Sequence, residues 1–571
     1  MFSLHMKKAA LPLVIAVALG LPGTRCVRAD VKLPAIFGDH MVLQQEAKLP
    51  VWGWADPGEK ITVTFGAAKA GTTTGADGKW RVDLPPAPAG TPSGTLVVAG
   101  KNTLTINDVL VGEVWVCSGQ SNMEFLLSAS VNGGQEISHA NDSQFRLFHV
   151  VNRYALNPCD DVKGGSWQIC SPQALNKFTA VGYFFGKNLR AALNRPVGLI
   201  ESAQGGSSAC EWTSLSALES DPVLHHYTDT YESLAVNYPG GNTQFDAQAV
   251  ADNAAMKKWL DTLKSDTVYQ AALKAWPDAS AKAKAGGQPQ PPQPKSPVQP
   301  PPRGVESRNT PTFLFNGMLN PLIPYSIKGV IWYQGEANSQ PRLAFEYRTL
   351  LPALITDWRT RWAQGDFPFL IVQLPNNFAP PKTAGQPSDM AVLRESQFKT
   401  LALPNTGMAT IIDIGMASTV HPPDKADVGA RLALAARHVA YGENLVYTGP
   451  IYDSMKTAGG NIRITFKADS VGGGLIIGSA PWIDPKAVPV SKTALQGFAI
   501  AGEDKNWVWA DAKIDGNTIL VSSPQVPSPV AVRYAWADNP ACNLYNKEGL
   551  PASPFRTDAW DTPAALPPAT K

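Results

Sequence analysis

Val109-Leu110-Val111-Gly112-Glu113-Val114-Trp115-Val116-Cys117-Ser118-Gly119-Gln120-Ser121-Asn122 is the stretch on which the reading of this chain turns. Val109 to Val116 is apolar except at Gly112-Glu113, as a buried strand would be, and Gly119-Gln120-Ser121-Asn122 is the turn that leaves it. A serine at the carboxyl end of a parallel strand stands at the mouth of an α/β sheet, where ligands bind. Ser121 is therefore a candidate nucleophile. The segment departs from the Gly-x-Ser-x-Gly elbow of the α/β-hydrolases, because Met123 stands where the second glycine would be. Taken alone, such a serine is more often a turn residue or a helix cap.

Further strand-like runs follow at Val197–Ile200, Gly329–Tyr333, Phe367–Val372 and Ala409–Ile414. Helical stretches, Ala180–Ala192 and Ala344–Trp362, lie between them, and Val428–Tyr441 follows the last. This alternation predicts an α/β fold with a parallel sheet covered on both faces. Residues 30–108 read as an N-terminal β-sandwich-like domain of short strands punctuated by Asp56-Pro57-Gly58, Asp77-Gly78 and Gly100-Lys101-Asn102. Residues 109–445 then form the α/β domain, and 446–571 a C-terminal β-rich domain. Around 220–305 the α/β pattern is interrupted. Residues 243–285 are rich in Ala and Lys and read as helix, while Gly286–Arg303 is Pro-rich and reads as a polyproline-like loop or a disordered one, dispensable for chemistry.

The 571 residues are too many for one domain, and an apolar content of 44% with 17% charged residues suits a core-forming protein. A formal charge of +2 gives no reason to invoke nucleic acid. The 16 tryptophans are a mild pointer to carbohydrate, since Trp stacks on sugar faces. Lys7-Lys8, the apolar run Ala9–Gly20 and Val27-Arg28-Ala29 read as a signal peptide over residues 1–29, which predicts a periplasmic or secreted protein. No later apolar stretch is long enough to span a membrane. Of six cysteines, Cys26 leaves with the leader. Cys159–Cys170 is the simplest disulfide, Cys117 and Cys210 either pair or lie in the core, and the odd count leaves at least one free thiol. There is no Cys-x-x-Cys or His-Glu-x-x-His, and His225-His226 reads as a surface pair, so no metal or cofactor is expected.

Four segments fall where they can converge at one face of the sheet. Ser121 follows the first strand, Gly205-Gly206 the second and Gln334-Gly335-Glu336-Ala337-Asn338 the third; His421-Pro422-Pro423-Asp424-Lys425 lies near the last helix. Serine hydrolysis needs such a meeting. A hydroxyl is a poor nucleophile until an imidazole takes its proton, a carboxylate orients the imidazole, and donors must meet the oxyanion.

Gly119-Gln120-Ser121-Asn122-Met123, Trp332-Tyr333-Gln334-Gly335-Glu336-Ala337-Asn338 and His421-Pro422 resemble segments of the sialate O-acetylesterase family, part of the flavodoxin-like SGNH hydrolases. Met41-Val42-Leu43-Gln44-Gln45, Phe315-Asn316-Gly317-Met318, Leu393-Arg394-Glu395-Ser396-Gln397 and Leu550-Pro551-Ala552-Ser553-Pro554-Phe555-Arg556 extend the likeness along nearly the whole mature chain, apart from the Pro-rich insert. The resemblance implies a three-layer α/β/α catalytic domain with Ser121 as nucleophile and His421 as general base and then acid. It implies oxyanion donors at the N–H of Ser121, the N–H of Gly205 and a side-chain amide, either Gln334 or Asn338, with Gln334 favoured by its place nearer the strand end. Many relatives carry an Asp three residues before the histidine, but here Ser418 stands there. Glu336 is the first candidate for the acid, Asp413 the second and Asp424 the third; a Ser–His pair oriented only by a carbonyl is the remaining option. Arg394 either holds a substrate carboxylate or pairs with a neighbouring Glu.

The expected function is an exported serine esterase that removes O-acetyl groups from carbohydrate, sialate by the family's name. Acetylxylan or another polysaccharide is the alternative substrate. A non-catalytic carbohydrate-binding protein is the alternative of another class.

Overall fold

A computed structural model describes residues 30–302, 304–305, 310–480 and 490–560. The leader expected at residues 1–29, with Cys26, lies outside the described residues.

The centre of the molecule is a sheet of seven strands: β1 (Thr103–Gly119), β2 (Asp142–His149), β3 (Trp167–Cys170), β4 (Val197–Ala203), β5 (Gly329–Tyr333), β6 (Phe369–Gln373) and β7 (Thr406–Thr410). Their order is β7-β6-β5-β1-β4-β2-β3. Every neighbouring pair is parallel except β2 with β3 at the edge. The expected α/β sheet is present. Sequence reading missed β2 and β3. β2 begins Asp142-Ser143-Gln144, and only its second half, from Phe145, is buried, so it offers too short an apolar run to register.

The strand order decides where ligands go. From β1 the chain goes to β2 and β3 on one side, returns to β4 beside β1, and later crosses to β5 on the other side, so β1 stands where the winding changes sides, and a crevice opens at its carboxyl end. Two helix pairs cover the sheet. Ala180–Leu193 packs on Ala426–Val439, and Pro341–Trp362 packs on Asp389–Lys399. The first pair meets so closely that a Cβ on Gly429 would lie 2.5 Å from the Cβ of Phe184.

β1 is 17 residues long. Its first part pairs antiparallel with Gly94–Ala99, and its last part with β4 and β5. One strand thus runs across residues 108 and 109, and one hydrophobic core extends from Val31 through the N-terminal strands into the central sheet. A second core lies under the C-terminal strands, around Ile462, Ile464, Phe498, Ile519 and Val532. The insert holds three helices, His226–Ala235, Gly241–Ser265 and Thr267–Ala285. No helix among the described residues is long and apolar enough to cross a membrane.

The expected Cys159–Cys170 disulfide is not formed, nor is a Cys117–Cys210 pair; all five described cysteines are free and buried. Cys159 Sγ instead contacts the Asn157 carbonyl and the Asn242 amide, while Cys170 sits in β3. Burial raises the thiol pKa of Cys117, Cys159, Cys170, Cys210 and Cys542 alike.

Candidate active site

The turn after β1 is forced by close approach. Gly119 has φ +141°, and a Cβ there would fall 2.2 Å from the Tyr333 carbonyl oxygen. Only glycine lets β1 and β5 run this close. The next residue, Gln120, ties the two strand ends together. Its N–H donates to Tyr333 O at 3.0 Å. Its Oε1 accepts from the N–H groups of Gly335 and Ala337 and from Gln334 Nε2, each at 3.2 Å. Ser121 then opens a short helix, Ser121–Glu124, at the rim of the sheet.

The histidine arrives on the loop between β7 and the helix Ala426–Val439. Asn377 Nδ2 holds this loop through the carbonyls of Met416 and Thr419, and the His421 N–H donates to Thr419 Oγ1. His421 Nε2 lies 2.7 Å from Ser121 Oγ. Burial lowers the imidazole pKa, and the charge of Lys425 lowers it further. Both effects favour the neutral ring, the form that can take a proton from serine.

The carboxylates expected to orient this ring are engaged elsewhere. Glu336 Oε1 accepts from Asn122 Nδ2 at 2.5 Å, and its Oε2 is buried without a hydrogen-bond partner. Burial raises its pKa. Asp413 is held by Arg431 at 2.6 and 2.8 Å and by the Tyr545 hydroxyl at 3.0 Å. Asp424 accepts the Asp427 N–H at 3.1 Å at the start of the last helix, and burial, followed by the neighbouring Asp427, raises its pKa to about 6. None of the three hydrogen-bonds the His421 ring.

Asn122 lies between Glu336 and the histidine loop. Besides Glu336, its Nδ2 donates to the Val420 carbonyl at 2.8 Å, next to the histidine. Its Oδ1 accepts from Lys425 Nζ at 2.5 Å. Lys425 is fully buried, with its ammonium 4.9 Å from the Phe125 ring centre and 5.1 Å from that of Tyr333. Desolvation lowers its pKa to about 7, against the opposing pull of Glu336 and Asp424. One amide side chain therefore links the nucleophile turn, the loop after β5 and the histidine loop.

Two further expectations are corrected. Gln334 does not present a free amide. Its Nε2 donates to Asn338 Oδ1 at 2.7 Å and to Gln120 Oε1 and the Ser207 carbonyl at 3.2 Å, while its Oε1 accepts from the Tyr347 hydroxyl. A fully buried amide finds partners at both ends, and here these are structural. Asn338, the other option, has a buried Nδ2 with no partner. Arg394 neither faces a cleft nor pairs with a Glu. It is fully buried and donates to the carbonyls of Leu374, Pro375, Ala537 and Asp538.

Gly205 is close to the nucleophile, since a Cβ there would lie 3.6 Å from Ser121 Cβ. Its N–H donates to Glu124 Oε2 at 2.6 Å. His226 of the expected surface pair contacts Glu346 at 3.0 Å.

Residues 314–438 match the family model described as carbohydrate esterase, sialic acid-specific acetylesterase. The crystal structure of a carbohydrate acetylesterase from Xanthomonas citri superposes with a TM-score of 0.72 and 38% identity, covering 93% of this chain and 100% of that one. The chain belongs to the sialate O-acetylesterase family. The rat sialate O-acetylesterase is 28% identical over 92% of this chain and 94% of its own length. The human one is 26% identical over 96% and 97%. As a member of this family the protein is a carbohydrate esterase. The residues that sequence reasoning passed over are Glu124, Asn122, Asn152 and Lys425; Asn122 lies inside a quoted family segment and Glu124 directly beside it. Their signal was adjacency: Asn122 follows the serine, Glu124 lies three residues on, and Lys425 lies four after the histidine.

Proposed function

We propose that the protein is an exported serine esterase that removes O-acetyl groups from carbohydrate through a Ser121–His421 pair. The 2.7 Å contact between Ser121 Oγ and His421 Nε2 carries this reading. In the first step His421 Nε2 takes the Oγ proton as Oγ attacks the acetyl carbonyl. The imidazolium then protonates the departing sugar alcohol, leaving acetyl on Ser121. Water enters, gives its proton to His421, and acetate leaves as Oγ is reprotonated. The N–H groups of Ser121 and Gly205 are the donors nearest the developing negative charge. The ring is oriented by its loop, through Asn122 and the Val420 carbonyl, in place of a triad acid.

The family name points to acetylated sialate. A specific observation favours the neutral alternative, an acetylated polysaccharide such as xylan. Arg394, the cation the sequence offered to a sialate carboxylate, is spent on backbone carbonyls, the Lys425 ammonium is buried against Asn122, and the charged group in contact with Gly205 is the carboxylate of Glu124. An anionic sugar would meet repulsion there. The signal-peptide pattern of residues 1–29 supports export.

Ser121→Ala is expected to abolish acetate release while the protein stays folded. Acetate release across acetylated sialosides and acetylated xylo-oligosaccharides decides the sugar. Equal release by wild type and Ser121→Ala overturns the serine mechanism. No release by either, with retained binding to insoluble glycan, supports a pure binding protein.

A further inference from the structure

Glu124 sits on a hydrogen-bond donor that the proposed reaction needs. Its Oε2 accepts the Gly205 N–H at 2.6 Å, and its Oε1 accepts from Asn152 Nδ2 at 3.2 Å. Asn152 also donates to Gln204 Oε1 at 2.6 Å, so one amide ties the carboxylate to the residue before the glycine. A Cβ placed on Gly205 would lie 2.9 Å from Glu124 Oε2 and 3.6 Å from Ser121 Cβ. Carboxylate, glycine and nucleophile therefore share one small space. An N–H pointed at a carboxylate oxygen at this distance is a charge-assisted bond, and the carbonyl of an ester is a weaker acceptor. While Glu124 holds Gly205, the oxygen of a bound acetyl group cannot use that donor.

A carboxylate has the shape and charge of acetate, the product of the reaction. We propose that Glu124 is a specificity gate. In the resting enzyme it fills the oxyanion donor as an internal stand-in for acetate. The hydroxyl groups flanking the acetylated position of a sugar draw it off, because they offer its carboxylate new donors as it releases Gly205. Glu124 is only half-buried, so such hydroxyls can reach it. An ester without neighbouring hydroxyls offers no such exchange and must displace the carboxylate unaided. The gate thus turns the protein toward polyhydroxylated acetates and away from simple ones. This inference rests on the esterase reading above, and adds how the same site selects its substrate.

The test compares kcat/KM of the full-length protein with those of Glu124→Ala and Glu124→Gln on 4-nitrophenyl acetate and on acetylated xylo-oligosaccharides. If the donor is free for only a small fraction of the time, the apparent rate on the simple ester is reduced by that fraction. Glu124→Ala is expected to raise turnover of 4-nitrophenyl acetate on the order of tenfold, and to lower turnover of the acetylated sugar by a similar factor. Glu124→Gln, which keeps the shape but not the charge, is expected to fall between. A second measurement needs no turnover: calorimetric titration of acetate into Ser121→Ala and into Ser121→Ala/Glu124→Ala, with tighter acetate binding expected in the double variant. A proportional fall on both esters, with unchanged acetate affinity, makes Glu124 a brace and overturns the gate alone. Wild type that hydrolyses neither ester overturns the esterase reading, and the gate with it.

Discussion

Asn122 Nδ2 donates to Glu336 Oε1 at 2.5 Å, so the family's Gln-Gly-Glu carboxylate is joined to the residue after the nucleophile and makes no hydrogen bond to the His421 ring. The same amide reaches the Val420 carbonyl and receives Lys425 Nζ. A half-buried carboxylate, a buried amide and a buried ammonium thus form a single support beneath the Ser–His contact. Buried polar groups tied into one network act as a unit, so removing one member is felt at the others.

The first prediction concerns that support. In a triad, loss of the orienting acid costs about 10⁴-fold in kcat. In the proposed mechanism Glu336 acts on the ring only through Asn122, so Glu336→Gln is expected to cost about 10- to 100-fold, with a similar loss for Asn122→Ala. The double variant should lose little more than either single one, because both interrupt one linkage. A kcat/KM cycle on an acetate ester measures this. A loss near 10⁴ for Glu336→Gln alone would restore Glu336 as a direct partner of the ring.

The pH profile follows from His421. The ring must be neutral to act as base, and burial followed by the Lys425 charge lowers its pKa. The acid limb of kcat/KM should therefore lie below the ordinary histidine value of about 6.5. Lys425→Met removes a positive charge that disfavours the imidazolium. The His421 pKa then rises, and the acid limb moves to higher pH. A variant that only loosened the fold would lower the plateau without moving the limb.

Arg394 is predicted to matter for stability rather than for substrate. Its guanidinium satisfies four buried carbonyls, joining the loop after β6 to the segment around Ala537 and Asp538. Arg394→Met leaves these acceptors unpaired and should cost about 3 kcal/mol or more, read from urea unfolding. KM of the folded fraction should stay within about twofold. A large KM change at unaltered stability would return Arg394 to the substrate site.

Thiol chemistry checks the cysteine correction. The five described cysteines are free and buried. Alkylation of the native protein should be slow at all five, and complete once the protein is unfolded without reductant. Mass spectrometry counts the adducts. A Cys159–Cys170 peptide that resists alkylation until reduced would show that the pair had formed.

Much of the site was legible because its signals are local. Apolar runs ending in Gly-Gln-Ser-Asn, Gln-Gly-Glu and His-Pro place serine, glycine and histidine at strand ends or on the loop before the last helix, and a parallel sheet brings such ends to one side. Strand β2 escaped because its exposed first half carries no period-two pattern. Gln334 and Arg394 were misjudged for a different reason. A polar side chain in a family segment reads the same whether it faces substrate or satisfies buried backbone, and only the partners around it decide.

From the sequence alone came the alternation of strands and helices and the turn that exposes Ser121, since periodicity and turn chemistry are properties of neighbouring residues; the pairing of that serine with His421 was implied by the family resemblance. The tertiary structure alone decided which groups serve that pair. The contacts of Glu336 with Asn122, of Lys425 with Asn122 and of Glu124 with Gly205 depend on how loops far apart in the chain pass one another. A distance of a few tenths of an ångström between buried charges determines whether a carboxylate orients a ring, braces a loop or covers a donor.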